Sequence, residues 1–197
     1  MRFLLFAILA GLELSNLRTA AAVELYWSDQ RGVHQLRDES DSRSLIYETF
    51  DTRGIAVDVP ANRLLWSDVL PLGAPIPGGV IREGSERGGE FSTVVNRLPN
   101  PAGVALDPKT GNIYWTDVGD ASESSAIYMA RRDGSEARPI LRGAWLAEIE
   151  GIAVDPLHGK LYFTYVNPLI DALYNGGIGR ADLDGANVEG IIGGLGK

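Results

Sequence analysis

Carboxylates recur at one spacing in this chain. Asp29, Asp68 and Asp117 each close a Trp-Ser/Thr-Asp tripeptide, and Asp58, Asp107 and Asp155 each close a Gly-x-Ala-x-Asp stretch. A carboxylate can move a proton, hold a cation or accept backbone N–H bonds. A catalytic carboxylate is needed once and not in every copy of a motif, so the recurrence argues for a structural duty. Asp58, Asp107 and Asp155 are expected to cap the turn that follows them. Other candidates are few. His158 lies in a turn, and His34 has no second histidine at ligand spacing. No Gly-x-Ser-x-Gly elbow occurs. Asp182-Leu183-Asp184-Gly185 opens like a calcium loop, but Gly190 stands near where a closing Glu is needed, so a β-turn is expected. Glu148 and Glu150, near Trp145, could share one face of a strand but read better as a solvated link. Neither a metal nor a cofactor is expected.

The elements that carry these residues repeat. Gly103 to Leu106 reads as a strand, Asp107 to Asn112 as a turn, and Ile113-Tyr114-Trp115-Thr116 as a second strand of β-branched and aromatic residues. Gly54 to Asp58 with Leu64 to Asp68, and Gly151 to Asp155 with Lys160 to Tyr165, say the same again; Leu25 to Asp29 repeats the second half alone. The anchors Trp27, Trp66, Trp115 and Phe163 stand 39, 49 and 48 residues apart. That period, built from short strands without a 3.6-residue pattern, predicts propeller blades of four strands each. Large flat side chains on the second strand suit packing between blades, each burying on the order of 200 Å². Small residues suit the crowded inner strand, and Gly54/Ala56, Gly103/Ala105 and Gly151/Ala153 supply them.

Tyr114-Trp115-Thr116-Asp117, with the Gly-x-Ala-x-Asp strand before it and Asp133-Gly134 after it, resembles the YWTD repeat of the low-density lipoprotein receptor class B family. Tyr26, Trp27, Tyr162 and Phe163 occupy the same positions, and Ile178 to Gly185 resembles the family's third strand and turn. The resemblance covers residues 25 to about 192. It implies an all-β propeller of a kind that closes with six blades, with the Asp of each motif tying blades together. Tyr165 replaces that Asp in the fourth copy, so the tie there is expected to differ. It also implies a role in binding extracellular proteins or in ligand release. The competing reading from another class is a metal-dependent lactonase-type six-bladed propeller, which needs Glu, Asn and Asp around the central channel. The inner strands here offer mostly Gly, Ala and aliphatic residues.

Composition sets outer bounds. The 197 residues are 45% hydrophobic and 22% charged, with a net charge of -8 and no cysteine. Disulfide, zinc-thiolate and thiol-nucleophile chemistry are thereby excluded, and no basic cluster offers a nucleic-acid footprint. Residues 1–22 are expected to be a secretory signal, with Arg2, an apolar run from Phe3 to Leu12 and Ala20-Ala21-Ala22 as the cleavage site. The run is about half the length of a membrane span. The blades then fall at 23–50, 51–98, 99–146 and 147–197.

Three strands are expected in the first copy (Val23 to Asp29, Gly32 to Leu36, Leu45 to Thr49) and four in each of the others. The last is expected over Val188 to Ile192, ahead of a glycine-rich tail. The first blade lacks its inner strand, so the expected form is a partial propeller, an open arc rather than a full ring. Homodimerisation or a missing remainder would complete it. The connections after the tryptophan strands are longer in copies two to four and should gather on one side. Leu70, Leu72, Ile76, Asp120, Glu123, Asn167, Leu169 and Tyr174 are the candidate binding residues on them. The reading is a secreted or periplasmic module, not an enzyme, that binds a protein or glycan.

Overall fold

A computed structural model describes residues 25–29, 32–36, 42–46, 49–76, 78–120, 124–143, 146–167 and 176–195. These form fifteen strands in four antiparallel sheets, each a simple meander. Blade 1 holds β1 (Leu25–Asp29), β2 (Gly32–Leu36) and β3 (Ser42–Ile46). Blade 2 holds β4 (Thr52–Asp58), β5 (Arg63–Val69), β6 (Gly79–Ser85) and β7 (Phe91–Leu98). Blade 3 holds β8 (Pro101–Leu106), β9 (Ile113–Asp117), β10 (Ala126–Ala130) and β11 (Arg138–Arg142). Blade 4 holds β12 (Ile152–Asp155), β13 (Lys160–Val166), β14 (Gly176–Asp182) and β15 (Glu189–Leu195). The all-β, four-blade partial propeller is the observed fold, and blade 1 has three described strands.

Two strand limits differ from the sequence expectation. The third strand of blade 1 is Ser42–Ile46 rather than Leu45 to Thr49, because β3 pairs with β2 through Ser42↔Leu36 and Ile46↔Val33. The last strand runs on to Leu195, since Gly193 and Leu195 pair with Gly177 and Gly176. Ladder bonds to β14 there override the low strand propensity of glycine. The expected signal segment lies outside the described residues.

Alternation along each second strand sends successive side chains to opposite faces of a blade. The anchors face the preceding blade, here termed the front. Trp66 packs with Tyr26 and Val33 of blade 1. Trp115 packs with Ala56, Leu65, Ile81 and Val95 of blade 2. Phe163 packs with Ala105, Tyr114 and Ile127 of blade 3. The residue before each anchor (Tyr26, Leu65, Tyr114) lies on the rear face, toward the following blade. Trp66, Trp115 and Tyr114 are almost wholly buried. Each blade boundary is therefore a sheet-on-sheet core.

Small residues set the spacing at the inner edge. A Cβ on Gly54 would stand 2.5 Å from Ala102 O, and one on Gly103 would collide with Glu150 O. The inner strands β4, β8 and the segment entering β12 approach backbone to backbone, which only glycine permits. Gly103→Ala is accordingly expected to cost about 1–3 kcal/mol by overpacking. Gly193→Ala, where an added Cβ meets nothing within 4 Å, serves as the comparison and should stay within about 1 kcal/mol. Urea melts of the two variants against wild type check both.

Candidate functional site

The recurrent Ser/Thr-Asp pairs sit at the end of each second strand, where the chain enters a blade. Asp68 Oδ1 accepts N–H bonds from Phe50 (3.0 Å) and Asp51 (2.9 Å), in the segment leading into β4. Asp117 Oδ1 accepts from Asn100 (2.9 Å), which leads into β8, and from Gly119 (2.8 Å). The Asp thus holds the entry segment of its own blade. Tyr165 stands in that place in blade 4, and there a backbone bridge between Ala147 and Val166 (2.8 Å both ways) holds the entry segment.

The hydroxyl before the Asp makes the crossing to the next blade. Ser67 Oγ accepts from Gly54 N (2.9 Å) and donates to Ala102 O in the next blade. Thr116 Oγ1 accepts from Gly103 N (2.8 Å) and donates to Glu150 O (2.8 Å) on the way into blade 4. Thr164 Oγ1 accepts from Gly151 N (2.8 Å). Of these hydroxyls the sequence reading singled out Thr116 alone. The signal available was that Ser or Thr fills this position in all four copies, as Ser28, Ser67, Thr116 and Thr164.

At the opposite side of the blades the second set of carboxylates closes turns. Asp107 accepts from Lys109 N (3.0 Å) and Thr110 Oγ1 (2.7 Å), and Asp58 from Ala61 N (3.2 Å). Asp155 accepts from Leu157 N (3.0 Å) and from His158 Nδ1 (2.6 Å), and the His158 bond holds its carboxyl below the ordinary range. Asp182-Leu183-Asp184-Gly185 is a β-turn closed by Gly185 N to Asp182 O (2.9 Å), with Lys160 and Asn187 on the Asp182 carboxylate. In blade 1, His34 stacks on Trp27 at 5.1 Å, and its Nε2 meets Asp29 Oδ1 at 3.1 Å. Glu148 and Glu150 are both exposed and lie outside any strand. Among the described residues no three His, Cys, Asp or Glu side chains gather as a metal would require.

The connections after the second strands leave equivalent strand ends, at Val69, Asp117 and Val166, on one side of the arc. Leu72 is fully exposed at 105%. Asp120 is exposed, while Leu70, Ile76 and Asn167 are half-buried, with Leu70 N bonded to Gly78 O at 3.1 Å. Glu123, Leu169 and Tyr174 lie outside the described residues. On the same side Arg53 reaches Asp51 (2.7 Å) and Asn100 (2.8 Å), joining two entry segments.

Two outcomes test these assignments. Thr116→Val keeps the shape but strips one acceptor and one donor from a buried place, so about 1–3 kcal/mol of stability should be lost in a urea melt. Asp68 is wholly buried, and desolvation raises its pKa above the ordinary 3.8 despite its two backbone donors and Arg82 (2.9 Å). Between 3.8 and the raised value the folded state holds the extra proton, so stability falls as pH rises through that window. Against Asp68→Asn, which does not titrate, wild type should gain stability on acidification through the raised pKa. The gain should level off below 3.8, as read from urea melts across pH.

Comparison with known proteins gives the same repeat and the same fold. Residues 111–156 match the low-density lipoprotein receptor repeat class B model. The chain is 30% identical over 115 residues to 3-hydroxyacyl-CoA dehydrogenase-like protein LAM1 of Cochliobolus heterostrophus, covering 58% of this chain and 23% of that protein. It is 36% identical over 95 residues to protein cueball of Drosophila erecta, covering 46% and 13%. It is 33% identical over 84 residues to low-density lipoprotein receptor-related protein 8 of Gallus gallus, covering 43% and 8%. The chain thus spans less than a quarter of the length of these curated relatives. Among solved structures, a nidogen/laminin complex matches at TM-score 0.73 and 24% identity, over 88% of this chain and 63% of that one. A gluconolactonase from Xanthomonas campestris matches at 0.66 and 15%, over 90% and 61%. At these identities the structural likeness speaks for the fold alone. By its repeated motif and its folded blades, the chain is a partial β-propeller with four blades in an open arc, and its residues 111–156 match the low-density lipoprotein receptor class B repeat.

Proposed function

We propose that the chain is a non-catalytic, extracellular binding module whose long loops on one side of the arc engage a protein partner. One observation carries this reading. The recurrent Asp, Ser and Thr side chains are engaged in scaffold hydrogen bonds, and both histidines are bound to a neighbouring Asp. What varies from blade to blade is the set of connections 70–78, 118–125 and 167–175, with Leu72 fully exposed on the first. Loops on a rigid scaffold are where recognition resides. The nidogen/laminin neighbour uses this fold in a protein complex, which favours a protein over a glycan.

The gluconolactonase neighbour supplies the rival reading, a metal-dependent lactonase, and one pair of measurements separates the two. A panel of extracellular matrix proteins and glycans, laminin among them, is screened for saturable binding, with Leu72→Asp as the loop variant. Binding to a protein of the panel, weakened about tenfold or more by Leu72→Asp at unchanged melting temperature, is the expected result. Gluconolactone hydrolysis that requires added Ca²⁺ or Zn²⁺ and stops on chelation would overturn it.

A further inference from the structure

The rear face of blade 4 repeats, position for position, faces that are covered elsewhere in the chain. On blade 2 that face is Ala56, Leu65, Ser67, Ile81 and Val95; on blade 3 it is Ala105, Tyr114, Thr116, Ile127 and Leu141. The next blade's front seals both. The matching residues of blade 4 are Ala153, Tyr162, Thr164, Ile178 and Ile192. Among the described residues no further blade packs on them: Ala153 and Thr164 are exposed, Ile192 is 46% exposed, and Tyr162 and Ile178 are half-buried. Thr164 Oγ1 takes the Gly151 N–H as its counterparts do, but the onward bond made by Ser67 and Thr116 has no described acceptor.

The opposite half of the same contact lies on the front of blade 1, against which no other described blade packs. Leu25, Trp27 and Leu36 hold the front positions that Ile113, Trp115 and Ala130 bury against blade 2. In blade 1 these three are half-buried, and His34 stacks on the Trp27 ring. Among the described residues the chain therefore carries both halves, without a partner blade, of an interface it builds three times within itself. We infer that the rear face of blade 4 receives the front face of blade 1 from a second copy of this chain, head to tail. Continuity with the internal blade contacts is the ground for choosing a second copy. Such a heterologous contact closes into a ring or grows into short chains, rather than stopping as a symmetric pair.

Sedimentation velocity of the full chain across about 1 μM to about 1 mM tests this. Reversible, concentration-dependent association is expected. Ala153→Lys, at an exposed position on the same face whose side chain makes no hydrogen bond, should sediment as a monomer throughout. Trp27→Glu alone should also be monomeric. Mixed one to one, the two variants should form a dimer and stop there, since each retains the half that the other has lost. Wild-type chain that stays monomeric at every concentration overturns the inference. So does association unaffected by Ala153→Lys, or a Trp27→Glu variant that still pairs by itself, which would mean a symmetric rear-to-rear contact.

Discussion

Everything in this fold depends on how closely the inner strands approach one another. Gly54 and Gly103 bring the backbone of one blade against the backbone of the next, at a distance where no side chain fits. A Ser or Thr hydroxyl then bridges the two, taking an N–H from its own blade and giving its proton to a carbonyl of the next. Trp66, Trp115 and Phe163 fill the space between sheets beyond that inner contact. Third-strand glycines make room for the rings, with a Cβ on Gly84 or Gly179 meeting Trp66 or Phe163. Small residues inside and large ones outside produce a wedge, and repeated wedges produce an arc.

The wedge was legible in the sequence because each blade must bury the same faces, so the same residue types return at nearly the same interval. Trp115 and Gly103 announce a blade as soon as Trp66 and Gly54 are seen. The division of labour between the hydroxyl and the carboxylate was not legible. Thr116 and Asp117 are adjacent and both polar, and their partners, Glu150 and Asn100, lie 34 residues ahead and 17 behind. Nothing local says which of the pair crosses to the next blade. The extension of β15 was hidden for a related reason. Gly193 and Gly194 have no strand preference of their own, and only the ladder to β14 recruits the segment to Leu195. The candidate loop residues were the least legible, because a loop's role comes from what it meets and not from its own pattern.

The scaffold's hydrogen bonds have a cost. Asp68 illustrates the cost: a carboxylate buried for the sake of two backbone donors is desolvated enough to raise its pKa, and Arg82 is drawn in beside it. Arg82 in turn lies over Phe91 at 4.9 Å, and Phe91 meets Trp66 edge-on. One structural Asp thus organises an ion pair, a cation–π contact and an aromatic pair. The same fold is found in a nidogen/laminin complex and in a gluconolactonase among its structural neighbours.

The boundaries between blades are alike in shape but not in chemistry. Between blades 1 and 2, Gln35 bonds the Tyr26 hydroxyl, which reaches Glu86 at 3.3 Å. At the corresponding place between blades 2 and 3, Glu83 is gripped by Arg132, which also holds Asp58. Between blades 3 and 4, Met129 and Leu183 lie in an apolar cluster. A blade set beside the wrong neighbour would bury Glu83 against Leu183, or set Arg132 against Met129 and away from both of its carboxylates. The order of the blades is therefore written a second time, across their faces, as a matching code of polar, ionic and greasy contacts. That code protects near-identical modules in one chain from exchanging places as they fold.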